Sequence, residues 1–349
     1  MSRKLLTLED AKKAVYGGCI LGGGGGGWIE EGLQKSEEAF TIGNPELLSI
    51  DELQDDDYVA SVSLVGAPSA KFAYIDAEQL TSTIKQMQKE FGQPLRALMT
   101  NENGAATTVN GWLQAAATGL PFLDAPCNGR AHPTGSMGSM NLSEVEDYES
   151  IQTFAGGKGS KKVKGSVTAS LDLSSSAVRS VSVQAGGIVG VCRNPIDIGY
   201  VKKNAAVGGI TQAIELGEVF LSVPEGPERI EAVTSHLKGR VIHSGKVSHF
   251  ELNETGGFDV GTVVIGDLEL TFWNEYMTVE MHGERKGTFP DLIMTFDAET
   301  GKPLVSAEIK KGIKIAVISV PKENLKLSST MFNETLLKAI EPIIQKKIN

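Results

Sequence analysis

Apolar positions in the first third of the chain recur at helical spacing, then alternate, then return to helical spacing. Leu8 to Val15 reads as a short helix ahead of a glycine run and Ile29 to Gln34 as another behind it, so the run is a helix-to-helix connector. Tyr58 to Gly66 alternates and is rich in β-branched residues, which predicts a strand ending at the turn signal Gly66-Ala-Pro-Ser. Ala77 to Phe91 has the helical period and is closed by Gly92 and Pro94. Leu95 to Thr100 is a second strand, Val109 to Thr118 a helix stopped by Gly119, and Pro121 to Asp124 a third strand. Strand, helix, strand, helix, strand implies an α/β arrangement with a parallel sheet.

The pattern loosens after that. Ser150 to Gly165 is poor in apolar residues and carries Gly156-Gly-Lys-Gly-Ser-Lys-Lys, which predicts an exposed loop. Ser166 to Leu173, Val178 to Val183 and Ile188 to Cys192 read as strands, and helices are expected near Ala205 to Val219 and Pro227 to Leu237. From Gly239 the character changes to short runs broken by Gly, Asp or Pro: Arg240 to Leu252, Thr262 to Ile265, Leu268 to Trp273, Thr278 to Met281, Leu292 to Phe296 and Ile313 to Val320. Short, evenly spaced strands suggest a small barrel or sandwich. Met331 to Lys347 reads as an amphipathic helix able to pack back on the first domain.

Composition narrows the picture. A hydrophobic fraction of 41% and a charged fraction of 22% exclude a disordered, collagenous or coiled-coil chain. At 349 residues a single core is near its limit, so two domains are expected. The division falls at 1–238 and 239–322, with 323–349 returning to the first. A net charge of −10 without a basic stripe argues against nucleic acid and membrane surfaces. No apolar stretch reaches membrane-spanning length, and Cys19, Cys127 and Cys192 are odd in number and far apart, so a reducing, cytoplasmic setting is expected. A small molecule is the expected partner, and self-association is left open.

Three stretches hold candidate chemistry. The 40 glycines are in excess, and six stand together at Gly22–Gly27. They spell Gly-x-Gly-x-x-Gly, but a dinucleotide fingerprint needs a strand before it and here a helix precedes. A ligand-lining or anion-cradling loop at Gly23, Gly24, Gly25 and Gly26 stands beside close backbone approach and a flexible spacer as readings. The second stretch, Thr100 to Thr108, follows a strand, where open sheets place their sites. There Glu102 is a candidate base or metal ligand and Asn103, Thr107 and Thr108 candidate orienting groups, with helix capping as the alternative. The third, Asp124-Ala-Pro-Cys-Asn-Gly-Arg-Ala-His-Pro133, gathers a carboxylate, a thiol, an amide, a guanidinium and an imidazole after another strand. Arg130 offers a planar fork, His132 can move protons or bind a metal, Asp124 can orient it, and Cys127 is either a thiolate nucleophile or a small core residue. The spacing misses the standard zinc patterns, so a divalent metal has no support and the cofactor is left unknown. Farther on, Asn274, Glu275 and Asp291 sit beside aromatic or apolar residues, on the solvent face of strands or lining a cleft.

Taken together, Gly17–Gly27, Asp51-Glu-Leu with Gly66-Ala-Pro68, the Glu102 loop, Gly119–Asp124, Gly129–Pro133, Asn274-Glu275, and Pro290–Ile293 with Thr300-Gly301 resemble the S-methyl thiohydantoin desulfurase family over most of the chain. The resemblance implies an α/β sandwich N-terminal domain with a second, smaller β-barrel domain. It also implies a hydrolase acting on a C–S or C–N bond of a hydantoin- or thiohydantoin-like ring. On that reading Glu102 or Asp124 activates water, His132 and Cys127 serve as further catalytic groups, and Gly23–Gly26, Asn103, Asn128, Arg130, Asn274, Glu275 and Asp291 bind substrate. The alternative is a non-catalytic small-molecule or anion-binding protein using the same glycine loop.

Overall fold

Thr7 and Asp10 cap one another's backbone N–H groups and start the first helix, which ends where Gly23 turns left-handed at φ 63°. The computed structural model describes residues 3–66, 70–255 and 258–348. The expected turn at 67–69 lies outside the described residues, as do Gly256 and Gly257. In chain order the first part holds β1 (Arg3–Leu5), α1 (Leu8–Gly22), α2 (Ile29–Ile42), β2 (Glu46–Leu48), β3 (Tyr58–Gly66), α3 (Ala77–Phe91), β4 (Leu95–Thr100), α4 (Trp112–Thr118) and β5 (Phe122–Leu123). It continues with β6 (Ser150–Gly156), β7 (Val163–Ala169), α5 (Leu171–Gln184), β8 (Ile188–Asp197), α6 (Ile198–Asn204), α7 (Gly209–Ser222) and α8 (Glu228–His236). The remainder holds β9 (Arg240–Lys246), β10 (His249–Thr255), β11 (Phe258–Ile265), β12 (Leu268–Trp273), β13 (Glu275–Met281), β14 (Glu284–Thr288), β15 (Leu292–Asp297), β16 (Pro303–Leu304), β17 (Lys314–Val320), α9 (Glu334–Lys338) and α10 (Glu341–Ile344).

The first eight strands form one mixed sheet in the order β1-β2-β5-β4-β3-β8-β6-β7. Only its centre, β2-β5-β4-β3, is parallel; β1, β8, β6 and β7 join antiparallel. Alternation divides its side chains between two cores. Ala60, Val62 and Leu98 face α1–α4, whereas Val59, Ala97 and Met99 face Ile198 and Val201 of α6.

The later strands form two antiparallel sheets, β10-β11-β12-β13-β14 and β16-β15-β17-β9. They share one core, in which Leu270, Phe272 and Val279 meet Ile293, Ile315 and Val317. No ladder joins the two among the described residues, so the expected barrel is replaced by a pair of open sheets. The opposite face of the four-stranded sheet carries Leu292, Met294, Phe296 and Ile318 into the core of α1 and α7. That continuity ties the two sheet systems together.

Three stretches depart from expectation. Ser150 to Gly165 is not a loop: β6 and β7 run antiparallel through it, and buried polar residues of β6 are satisfied from afar, Thr153 Oγ1 donating to Thr83 O at 2.8 Å and Ser150 Oγ to Asn194 Oδ1 at 2.6 Å. Leu171 to Gln184 is a helix rather than strands, because its buried face is Leu171, Ser174, Val178 and Ser182 and serines interrupt the apolar period. The closing segment is two short helices with Pro342 opening the second. Its Met331, Ile340, Ile344 and Ile348 share a core with Trp273, Met277, Phe289 and Met137.

α1 and α7 approach backbone to backbone at two glycines. A Cβ on Gly17 would overlap the Ala213 carbonyl oxygen, and one on Gly217 the Lys13 carbonyl oxygen. Gly17→Ala is therefore expected to lower unfolding free energy by about 1–3 kcal/mol in urea titration. Gly43→Ala, at an extended position whose nearest neighbour is 3.8 Å away, is expected to leave it unchanged or slightly raised.

Candidate functional site

The run leaving α1 is fixed in space by its own conformation. Gly23, Gly24, Gly26 and Gly27 have φ of 63°, 101°, 82° and 83°, which L side chains rarely adopt. Neighbours forbid a Cβ as well: it would meet Arg130 Nη2 at Gly23, the Glu275 carboxylate at Gly25 and Gly104 Cα at Gly26. The carbonyls then bind both ways. Gly23 O accepts from Tyr276 N at 2.8 Å and Gly24 O from Ser306 N at 2.9 Å, while Gly26 O accepts from Ala106 N at 2.9 Å and Thr107 N at 3.2 Å. The loop is thus stapled to β13 and the turn after β16 on one side and to the turn after β4 on the other. This brings Glu102, in the turn after β4, and Glu275, the first residue of β13, to one cleft of about 310 Å³ that Gly24–Gly27 also line.

Glu102 and His132 form its inner wall, with residue exposures of 7% and 9%. Glu102 Oε2 accepts from the His132 backbone N–H at 3.3 Å and stands 3.1 Å from His132 Nε2. No ring N–H lines up with that second contact. His132 Nδ1, however, is 2.9 Å from Thr134 O, so Nδ1 carries the ring proton and Nε2 presents a lone pair to Glu102. A protonated Glu102 supplies the donor this lone pair lacks. Burial acts in the same sense on both groups. It pushes the Glu102 carboxyl up to about 8, against hydrogen bonds from His132, Thr107 and Asn101 that pull it down. It pushes the His132 imidazole down to about 4, against the Thr134 contact. At pH 7 the pair is a neutral acid beside a neutral imidazole.

Glu275 is the second buried acid. It is 2% exposed, and its Oε2 has no hydrogen-bond partner among the described residues. Burial raises its carboxyl well above the usual range, the neighbouring Glu102 raises it further, and the Arg130 guanidinium opposes both. Arg130 lies behind the loop rather than on the cleft wall: Nη1 donates to Pro290 O at 2.9 Å and to Asp291 O, and the guanidinium carbon stands 4.5 Å over the Phe289 ring. Asn274, at φ 57°, turns the chain into β13 and accepts from Asp259 N at 2.9 Å through Oδ1.

The cleft therefore gathers Gly24, Gly25, Gly26, Glu102, His132, Asn274 and Glu275, with Gly23 and Arg130 directly behind. Other expected site residues stand elsewhere, and each has a structural task. Asp124 caps α7, its Oδ1 accepting from Ile210 N at 2.9 Å and Thr211 N at 3.0 Å and its Oδ2 from Thr211 Oγ1. Cys127 is packed with Met99, Ala125 and Met140, and burial pushes its thiol up to about 11, so it is no thiolate. Asn103 donates to Gly209 O at 2.8 Å, and Asn128 ties Arg130 O (2.9 Å) to Ser328 N (3.3 Å). Asp291 Oδ1 accepts from Lys322 N at 3.0 Å.

Asn101, Trp28, Asp259 and Ser306 also line the cleft, and the sequence pattern does not single them out. Asn101 carries a usable signal, as it follows β4 directly, whereas Ser306 arrives only through the long-range bond to the glycine loop. Among the described residues no three His, Cys, Asp or Glu side chains converge as metal ligands. No helix there is long and apolar enough to cross a membrane.

Two family models together cover most of the chain. One described as S-Me-THD-like, N-terminal domain, matches residues 9–161, and one described as S-Me-THD-like, C-terminal domain, matches residues 170–330. The crystal structure of a protein from Chromobacterium violaceum is similar to this chain with a TM-score of 0.75 and 19% identity, over 99% of this chain and 98% of that one. At that identity the likeness concerns the fold. No curated protein matches the chain.

The placement of Asp124 is open to test. Asp124→Ala removes the cap of α7 and is expected to lower unfolding free energy by about 1–3 kcal/mol in urea. Ligand affinity at the Glu102–Glu275 cleft, measured well below the unfolding transition, should stay within about twofold, since α7 is capped outside that cleft.

Proposed function

The chain belongs to the S-methyl thiohydantoin desulfurase-like family, and from that premise we propose that its cleft hydrolyses a C–S or C–N bond of a hydantoin- or thiohydantoin-like ring. The observation that carries the reading is the meeting of two buried acids, Glu102 and Glu275, and one neutral imidazole at a single polar cleft. Such a set can remove a proton, return it and hold a ring by hydrogen bonds without a net charge in the wall.

Glu102 in its carboxylate form takes a proton from water as the water oxygen bonds to the ring carbon that carries the leaving group. The negative charge this places on the atom doubly bonded to that carbon, the carbonyl oxygen for a C–N bond or the ring nitrogen or thiocarbonyl sulfur for a C–S bond, is met by N–H groups of the Gly24–Gly26 backbone, which approaches with no Cβ in the way. The C–S or C–N bond then breaks, and Glu102 returns its proton to the departing thiol or amine. His132 Nε2, facing Glu102 Oε2, accepts a hydrogen bond from the protonated acid and fixes its direction. Glu275, held protonated, donates to a ring carbonyl or ring nitrogen. Arg130 stands behind the loop, where its charge opposes the protonated form of Glu275 and its Nη1 is held by the Pro290 and Asp291 carbonyls, so it is a positioning residue rather than a substrate clamp.

The base form of Glu102 is reached only as pH rises through about 8. Accordingly kcat/KM on a thiohydantoin or its S-methyl derivative is expected to climb about tenfold per pH unit below 8 and to level off above it, with no inflection from His132 above its value of about 4. Glu102→Gln keeps a donor toward His132 Nε2 but cannot shuttle a proton, so kcat should fall about 10²–10⁴-fold with the fold intact by circular dichroism. Activity that declines through pH 8, or a Glu102→Gln protein within threefold of the parent, overturns the assignment.

A further inference from the structure

A second cavity adjoins the cleft. It occupies about 480 Å³ between α2, α3, α4 and β3, and its walls include Ile42, Ile75, Leu80, Val109 and Leu113. Lys35, Leu64 and Asn110 line both this cavity and the cleft, so the two spaces share a wall. Two of these residues form a polar bar across it. Lys35 Nζ is 2.7 Å from Glu31 Oε1 and donates to Asn110 Oδ1 at 3.3 Å. On the cleft side lie the acids, the imidazole and bare glycine backbone; on the other side lie mainly aliphatic groups.

The volume falls in the range of small-molecule sites, and apolar walls interrupted by a few polar groups, here Thr41, Asp76 and Gln114 among others, are the pattern that takes an apolar group and fixes its direction.

We propose that this cavity is a second lobe of the site and takes an apolar substituent, a branched alkyl or benzyl group, carried on the hydantoin-like ring that the cleft holds. The Glu31–Lys35–Asn110 bar marks the border that the bond between ring and substituent must pass. The inference rests on the functional reading above for the identity of the ring. The cavity itself does not depend on it.

The experiment compares plain hydantoin and thiohydantoin rings with their 5-isobutyl and 5-benzyl derivatives on the full-length protein, Thr41→Trp and Ala77→Trp. Both positions line the apolar cavity and neither lines the cleft. Turnover and calorimetric affinity are measured for each pair. Each buried methylene favours binding about fourfold, so the substituted rings should be preferred at least tenfold by the parent. That preference should vanish in both variants while plain rings stay within threefold of the parent. Thr41 is exposed at the end of α2 and Ala77 half-buried at the start of α3, so either variant carries the test should the other fail to fold. Equal handling of plain and substituted rings by the parent, or an equal loss on both in Ala77→Trp, overturns the second lobe. If no ring is turned over yet substituted rings bind more tightly and the variants abolish that advantage, the lobe stands and the hydrolase reading falls. Turnover without any preference leaves the hydrolase reading standing and removes the lobe.

Discussion

Backbone carbonyls of a segment with no Cβ atoms hold this protein's cleft together. Gly23 O and Gly24 O accept from the later sheets, and Gly26 O accepts from the turn after β4, so one short segment is bonded to opposite walls within a few residues. Glycine makes the arrangement possible, because four of these residues are left-handed and the space beside them is already filled by Arg130, Glu275 and Gly104. Ordering so many glycines is entropically unfavourable. The opposing gain comes from those hydrogen bonds and from the apolar face that β15 and β17 lay against α1 and α7. The two sheet systems and the candidate site therefore depend on the same contact.

The chemistry follows from that closure. Glu102 and Glu275 come from segments far apart in the chain, and both are buried when the loop is clamped between them. Burial without a salt bridge neutralises a carboxyl. Glu102 can stay protonated because His132, fixed in one tautomer by Thr134 O, offers it a lone pair. The arrangement disfavours stability as well. An acid whose proton affinity is higher in the folded state than in the unfolded one makes the protein less stable as pH rises from about 4.5 toward 8. Groups retained at such a disadvantage are functional candidates.

Much of the first sheet is legible in the sequence because its signals are local. β3, α3 and β4 match expectation to the residue: α3 opens on the Asp76–Gln79 capping box and closes on left-handed Gly92, and β3 is a run rich in β-branched and small residues. β6 and α5 defeat the pattern because polar residues occupy their buried positions, and the partners Asn194 and Thr83 are distant in sequence. In the site, Glu102 and His132 are visible as polar residues following strands. Asp124 carries the same signal with a different meaning, because a carboxylate at a strand's end can equally cap the next helix. Glu275 fits either a solvent-facing or a cleft position by sequence, and only the approach of Gly25 decides between them.

The central claim is that the clamp keeps Glu102 a neutral acid near pH 7 beside a neutral His132. Carboxyl ¹³C NMR of glutamate-labelled protein across pH, with Glu102→Gln identifying the resonance by its loss, measures this directly. The account predicts that this carboxyl titrates near pH 8 while the His132 ring stays neutral down to about pH 4. A Glu102 resonance titrating near 4.5, the ordinary value for a glutamate, would contradict it.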